Sequence, residues 1–215
     1  MKTILAYGDS LTYGASPIKG GPRHDYEDRW PSVLEAGLGG KARVIPEGLG
    51  GRTTAFDDHL ANADRNGARI LPTLLASHSP LDLVIIMLGT NDLKPAIHGS
   101  AQTASHGMRR LMQIIRGHFV EPGQTVPQIL LVAPPLIGET DNVDMLMHFG
   151  GEGAIAQSRE FARHYRMRAE EYGAAFFDAS TVAVPDPADG VHLDAANTRA
   201  IGEGLVPLVK SLLGL

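Results

Sequence analysis

The sequence predicts a three-layer α/β domain built around a five-stranded parallel sheet. Five short β-rich apolar runs alternate with helix-like stretches along the 215 residues. Two of these runs, "DLVIIML" and "QILLVAP", are apolar throughout, which is typical of parallel strands covered on both faces. A chain of this length fits one domain, so residues 1–215 are expected to form a single unit.

The expected strands and helices follow one another in regular alternation. The strand runs are Thr3 to Tyr7, Ala42 to Pro46, Asp82 to Leu88, Gln128 to Ala133 and Ala174 to Asp178. Apolar residues spaced by three and four predict amphipathic helices that turn one face to the core. The helical stretches are Pro31 to Leu38, Thr54 to Ser77, Thr103 to Phe119, Ala154 to Tyr172 and Ala195 to Leu213.

Two long segments are expected to be loops, namely Ala15 to Arg29 and Pro134 to Gly153. Loops of this length in a compact domain usually have a function. The second carries four large apolar side chains that are costly to leave in water, so it is expected to cover a pocket or a subunit interface. These side chains are Met145, Leu146, Met147 and Phe149.

Composition and charge exclude several classes of protein. A net charge of −5 and a pI near 6.0 argue against a nucleic-acid partner, which requires clustered Lys and Arg. No apolar run approaches the ~20 residues that span a bilayer, and "MKTIL" is too short for a signal peptide, so no membrane partner and a cytoplasmic location are expected. Cysteine is absent, so any nucleophile must be an oxygen or a lysine.

Small polar residues follow the first three predicted strands. The stretch "YGDSLTYG" places Ser10 directly after the first strand, "EGLGGRTT" follows the second, and "LGTND" follows the third. In an open parallel sheet, ligands bind at the carboxyl ends of the strands. The three loops are therefore expected to converge on one site, with Ser10 as a candidate nucleophile.

A candidate base lies near the other end of the chain. The stretch "DPADGVHLD" supplies Asp189 and His192. A spacing of three in a tight turn lets the carboxylate face Nδ1 of the imidazole, which fixes the tautomer. Nε2 of His192 would then point at Ser10, and a serine hydroxyl needs such a base to be reactive.

Taken together, "GDSLTYG", "GLGGRTT", "MLGTNDLK" and "DGVHLDAANTRAIG" resemble the GDSL, or SGNH, hydrolase family and its small bacterial arylesterases and acyltransferases. The resemblance implies a flavodoxin-like topology, a triad of Ser10, Asp189 and His192, and an oxyanion hole formed by Ser10, Gly51 and Asn91. It further implies a serine esterase for short-chain aryl or alkyl esters that works through an acyl-enzyme. Acyltransfer or perhydrolysis, no cofactor and a homo-oligomeric assembly are also implied.

Four further residues are candidates for substrate contact, namely Asp9, Leu11, Trp30 and Phe149. The bulk of the last three predicts a small pocket for acetyl to butyryl groups. Asp9 is also a good turn or cap acceptor, and Trp30 is also a good packing residue. "DDH" at 57 to 59 is expected on a helix, where adjacent residues do not share a face, so no metal site is expected.

Other functions stay open at this point. A carbohydrate O-deacetylase, a thioesterase or a lysophospholipase of the same fold fits the same residues. A flavodoxin-like binding module explains the sheet, although it gives Asn91, Asp189 and His192 no reason to lie at loop ends. The G-x-S-x-G turn of the α/β-hydrolases is absent. Labelling with a serine-directed fluorophosphonate separates an enzyme from a binding module.

Overall fold

Five parallel strands form the central sheet of the computed structural model, which describes residues 1–215. Their order in space, numbered along the chain, is β2-β1-β3-β4-β5. The second strand therefore lies on one side of the first, and the last three lie on the other side. The predicted fold class and the five-stranded parallel sheet are confirmed. The strands are β1 (Lys2–Gly8), β2 (Ala42–Gly48), β3 (Leu83–Met87), β4 (Gln128–Ala133) and β5 (Ala175–Asp178).

Eight α-helices surround the sheet. They are α1 (Ser10–Tyr13), α2 (Trp30–Gly37), α3 (Gly67–His78), α4 (Ala101–His118), α5 (Val143–Phe149), α6 (Glu152–Ser158), α7 (Phe161–Glu171) and α8 (Ala195–Leu213). Three short 3-10 turns lie at Tyr26–Asp28, Thr90–Leu93 and Ala179–Thr181. None of the helices combines the length with the apolar character that crossing a bilayer requires.

The sheet has a hydrophobic core on each face. In β1, Ile4 and Ala6 belong to the core beneath α2 and α8, whereas Leu5 and Tyr7 belong to the core beneath α3, α4 and α7. All four of these residues are fully buried. Because both faces are covered, the strands need apolar residues at every position, which explains the uninterrupted apolar runs.

Two predicted helices differ from the structure. The stretch predicted to be helical from Thr54 begins only at Gly67, where the Asn66 side chain accepts the N–H groups of Ala68 and Arg69. Residues 54–66 instead form a loop, because their polar side chains bond to nearby backbone and to one another. The helix predicted over Ala154–Tyr172 is divided into α6 and α7 at residues 159 and 160.

The strand register brings the loops that follow β1, β2 and β3 to one place. Gly8 lies opposite Gly48 of β2 and opposite Met87 of β3. The reversal of strand order beside β1 opens a crevice at this edge. Gly48 permits a close approach there, since a Cβ atom would lie 2.2 Å from the backbone nitrogen of Tyr13 in α1.

Candidate active site

Ser10 opens the four-residue helix α1 immediately after β1. The carboxylate of Asp9 caps this helix, and its Oδ1 accepts the N–H of Leu11 at 3.0 Å. Gly14 ends the helix in the left-handed conformation, with φ of +88°. The N–H of Ser10 has no partner within the helix, as is usual for the first turn. A hydroxyl group and a free backbone donor therefore stand together at the mouth of the crevice.

His192 and Asp189 complete a hydrogen-bonded chain that ends at Ser10. Nε2 of His192 is 2.9 Å from Oγ of Ser10, and Nδ1 is 2.5 Å from Oδ2 of Asp189. The other carboxylate oxygen of Asp189 accepts the N–H of Val191 at 2.9 Å and that of His192 at 2.8 Å. Nδ1–H therefore donates to Asp189, and Nε2 is left to accept the proton of the serine hydroxyl.

Asp189 is buried, yet it keeps its charge. Burial pushes the pKa of Asp189 upward, but the hydrogen bonds from His192 and Val191 outweigh burial and hold the pKa below its ordinary value. The carboxylate is therefore ionised at neutral pH. An ionised carboxylate at this position holds the imidazole in the tautomer that carries hydrogen on Nδ1.

Two groups from other loops, the N–H of Gly51 and the side-chain amide of Asn91, are candidate donors to an oxyanion at Ser10. Gly51 has a φ of +81°, and its N–H meets no protein acceptor. The side-chain amide of Asn91 donates to the carbonyl of Arg52 at 3.2 Å and contacts Oδ2 of Asp9 at a longer 3.4 Å. The first bond fixes the amide plane, while the second is long enough to be exchanged for a better acceptor. With the N–H of Ser10, these groups can hold a developing oxyanion.

The structure corrects two of the four predicted substrate contacts. Trp30 is 0% exposed and Leu11 is 3% exposed, and both pack in the core beneath α2 and α8. The indole N–H of Trp30 donates to Oγ1 of Thr12 at 3.2 Å. Both side chains are enclosed by core residues, and neither lines the cavity beside His192. Trp30 is therefore a packing residue, which was the alternative role expected for it.

Asp9 and Phe149, the other two, lie close to the site but inside the protein. Asp9 is buried and acts as the helix cap already described. Phe149 ends α5, is also buried, and has its ring centre 5.7 Å from Nζ of Lys94. Met145, one turn earlier, lines a cavity of about 380 Å³ together with Asp189 and His192. Met145 of the segment 134–153 thus helps to enclose a pocket. The prediction of a loop was wrong over Val143–Phe149, which form α5.

Arg52 is a buried structural residue at the edge of the site. Its guanidinium is buried and donates to the carbonyls of Gly8, at 2.8 Å, and Glu47. It also lies over the ring of Tyr7, 4.2 Å from the centre. Arg52 therefore ties together the ends of β1 and β2. The two glycines before it are the only sequence signal, and they indicate a turn rather than a buried cation.

Two buried carboxyl groups, Asp9 and Asp92, flank Asn91. Asp92 accepts the N–H of Thr54 at 3.0 Å and its hydroxyl at 2.5 Å, which fastens the loop after β2 to the loop after β3. Desolvation by burial raises the pKa of Asp9 to about 6 and that of Asp92 to about 7. Both groups are therefore partly protonated near neutral pH.

No group of three or more His, Asp or Glu side chains is arranged to hold a metal ion. The prediction for "DDH" rested on a helix, whereas these residues lie in a loop. There Asp57 pairs with Arg69 at 2.7 Å and accepts from Asn66 at 2.8 Å. Asp57 is therefore engaged in a surface ion pair.

Comparison with known proteins gives a consistent family and fold. The profile of the GDSL-like Lipase/Acylhydrolase family matches residues 6–200. A carbohydrate acetylesterase family member from Sinorhizobium meliloti is 53% identical, with a TM-score of 0.96 and 100% of both chains covered. Among curated protein sequences, none matches the chain.

Two further solved structures are similar over nearly the whole chain. The aryl esterase of M. smegmatis is 39% identical, with a TM-score of 0.93 over 99% of this chain and 100% of that one. Est24, a carbohydrate acetylesterase from Sinorhizobium meliloti, is 37% identical, with a TM-score of 0.92 over the same shares. Esterases with two kinds of named substrate thus share this fold and much of this sequence.

Proposed function

The chain belongs to the GDSL-like lipase/acylhydrolase family and is a carboxylic ester hydrolase, and from this premise we propose that it cleaves short-chain aryl and alkyl esters through an acyl-enzyme on Ser10. One observation carries the proposal. Ser10, His192 and Asp189 form a continuous hydrogen-bonded chain with distances of 2.9 and 2.5 Å. This hydrogen-bonded series of side chains adjoins the donor groups of Gly51 and Asn91.

In the proposed acylation step, Oγ of Ser10 attacks the ester carbonyl while Nε2 of His192 accepts the hydroxyl proton. Asp189 holds the imidazole in the required tautomer and stabilises the imidazolium that forms. The carbonyl oxygen becomes an oxyanion, which the N–H groups of Ser10 and Gly51 and the amide of Asn91 bind. The tetrahedral intermediate then collapses, and His192 gives its proton to the leaving alcohol.

Deacylation repeats these steps with a new nucleophile. Water gives up a proton to His192 and attacks the acyl carbon, and Ser10 leaves with the proton that His192 returns. An alcohol or a peroxide that takes the place of water yields acyltransfer or perhydrolysis. The site supports this use because the cavity of about 380 Å³ adjoins His192, where the second nucleophile must be activated.

A series of p-nitrophenyl esters with acyl chains of two to sixteen carbons tests the proposed substrate class. We expect the highest kcat/KM at two to four carbons, and a maximum at long chains contradicts a short-chain esterase. A serine-directed fluorophosphonate should label the wild-type protein but not Ser10→Ala. Labelling of Ser10→Ala at the wild-type rate, or retained turnover in it, contradicts the assignment of the nucleophile.

Removal of acetyl groups from carbohydrates is a second candidate function. Two of the similar structures bear the name carbohydrate acetylesterase. The cavity beside His192 is lined largely by small and polar residues, among them Asn142 and Lys19, and these can hydrogen-bond to sugar hydroxyls. Comparing kcat/KM for an acetylated monosaccharide with that for phenyl acetate distinguishes the two functions.

We also propose a homo-oligomer, with the outer face of α5 as a contact. Met147 is 78% exposed and Val143 is 67% exposed on this helix, and such side chains gain free energy when a second copy covers them. Light scattering at micromolar concentration should give a multiple of 22.9 kDa, and Met147→Glu should reduce it. A wild-type monomer contradicts this assembly. The proposed place of action is the cytoplasm, which cell fractionation tests.

A further inference from the structure

Lys94 has a largely buried side chain, and its ammonium group has no hydrogen-bond acceptor in the protein. It directly follows the 3-10 turn Thr90–Leu93, and its N–H donates to the carbonyl of Asn91 at 3.3 Å. Its side chain is 9% exposed, and its one ionic neighbour, Oδ2 of Asp58, is 3.9 Å from Nζ, beyond hydrogen-bond distance. A buried ammonium normally has its three donors engaged.

A second cation of this region, Arg65, also leaves a buried donor without a partner. Its Nη1 is fully enclosed and makes no hydrogen bond, whereas Nη2 donates to Asn62 at 3.0 Å. A Cβ atom on Gly51 would lie 3.2 Å from Nε of Arg65, so the guanidinium lies against the turn that presents the Gly51 N–H. Desolvation by burial lowers the pKa of Lys94, and the charge of Arg65 lowers it further, while nearby carboxyl groups, Asp58 first among them, oppose this shift.

Three acidic groups act on Lys94, but none of them accepts a hydrogen bond from its ammonium group. Lys94 and Arg65 have one nearby carboxylate that opposes them, that of Asp58. The other two acidic groups that act on Lys94 are Asp9 and Asp92, and because burial raises their pKa values to about 6 and about 7, their negative charge is incomplete at neutral pH. The ammonium of Lys94 therefore has negative groups nearby but no hydrogen-bond acceptor.

The position of these cations identifies the part of the substrate that they can reach. The leaving alcohol must lie beside His192, which protonates it, and the cavity of about 380 Å³ is there. Neither Lys94 nor Arg65 lines that cavity. In the tetrahedral intermediate, the oxyanion occupies the donors of Gly51 and Asn91, and the remaining substituent is the acyl chain. Lys94 is bonded to the turn that carries Asn91, so it is within the part of the site that this substituent can approach.

We propose that Lys94, with Arg65 beside it, forms an anion-binding subsite for the acyl chain, so that the enzyme selects half-esters of short dicarboxylic acids. This inference rests on the proposed function, because it concerns the acyl group transferred to Ser10. The distal carboxylate of such a substrate supplies the acceptor that the ammonium lacks. Lys94 is thus a specificity-determining residue of the same site.

The test compares two ethyl esters of almost equal size in a pH-stat. Monoethyl succinate carries a distal carboxylate, and ethyl 4-oxopentanoate carries a methyl ketone in its place. We expect wild-type kcat/KM to favour the succinate half-ester. Lys94→Gln should lower this preference roughly ten- to a hundredfold, the range for a lost charge-assisted hydrogen bond, whereas Lys94→Arg should keep most of it.

Lys41→Gln is the matched control. It removes an exposed lysine just before β2, at the amino ends of the strands, and it should leave the preference unchanged. Equal losses on both esters in Lys94→Gln would mean that Lys94 only supports the fold, and this overturns the subsite. No hydrolysis of either ester, or of p-nitrophenyl acetate, by the wild type overturns the proposed function as well.

A measurement on the wild-type protein covers the case in which Lys94→Gln does not fold. N-methylsuccinamate and N-methyl-4-oxopentanamide are non-hydrolysable analogues of the two esters. The charged analogue should inhibit hydrolysis of p-nitrophenyl acetate competitively and roughly tenfold more tightly than the neutral one, with the difference shrinking as salt is added. Equal inhibition constants contradict the subsite.

Discussion

Nε2 of His192 lies 2.9 Å from Oγ of Ser10 although 182 positions separate the two residues in the chain. The contact joins the first strand to the loop before the last helix. His24 reinforces it, because its Nε2 lies 2.8 Å from the carbonyl of Leu193 and so attaches the loop after α1 to the loop that carries His192. The nucleophile and the base are therefore held together by several independent parts of the fold.

Asp189→Asn should lower kcat about a thousandfold or more, with little change in KM. The amide can donate to Nδ1, which favours the tautomer whose Nε2 carries hydrogen and cannot accept the Ser10 proton. The measurement is steady-state hydrolysis of p-nitrophenyl acetate. Asp186→Asn, in the same loop, is the control and should remain within about threefold of the wild type. A loss of less than tenfold in Asp189→Asn contradicts the proposed role.

Asn91→Ala should lower kcat about a hundredfold, because loss of one oxyanion donor removes roughly 3 kcal/mol of transition-state stabilisation. KM should stay within a few-fold of the wild type, since the donor acts on charge that develops after binding. Thermal unfolding checks that the fold remains. A near wild-type rate in the folded variant shows that Asn91 is not a donor.

Asp92 should make the protein less stable as the pH rises. Its pKa of about 7 in the folded state lies above the ordinary value of 3.8, so the folded state holds more protons than the unfolded state between these values. This contribution to stability is greatest below pH 3.8 and declines as the pH passes 7.

Asp92→Asn removes this titration while keeping the shape of the side chain. Relative to the wild type, the free energy of unfolding of the variant should rise by about 1 kcal/mol or more between about pH 4 and pH 8. Urea denaturation at several pH values measures the difference. A difference that is constant with pH would show that Asp92 does not bind a proton in this range.

Gly48→Ala should destabilise the protein by about 1–3 kcal/mol, the usual range for overpacking, and should also lower the esterase rate. The new methyl group would lie 2.2 Å from the backbone nitrogen of Tyr13 in the helix that carries Ser10. Gly117→Ala, in α4, is the control, because a Cβ atom there meets nothing within 4 Å. It should stabilise the protein by about 0.5–1 kcal/mol. Equal unfolding midpoints for the two variants contradict the close approach.

Local pattern was sufficient for the sheet and for the loops that bear the site. Strands buried on both faces need continuous apolar runs, which are visible in the sequence around Leu83 and Gln128. Parallel strands end at a common edge, so Ser10, Gly51 and Asn91 were predicted to meet there. The Asp189–His192 pair could also be predicted from the sequence, because its contact spans only three residues.

The sequence by itself thus determined the layered architecture and the residue types at each strand end, because hydrophobic period and turn chemistry act over a few residues. Only the tertiary structure decided that Trp30 and Leu11 are enclosed, that Arg52 joins two strand ends, and that Lys94 lacks an acceptor. The physical reason is that burial and ionic pairing depend on atoms brought together by folding, and no period in the chain records which distant side chain will cover another.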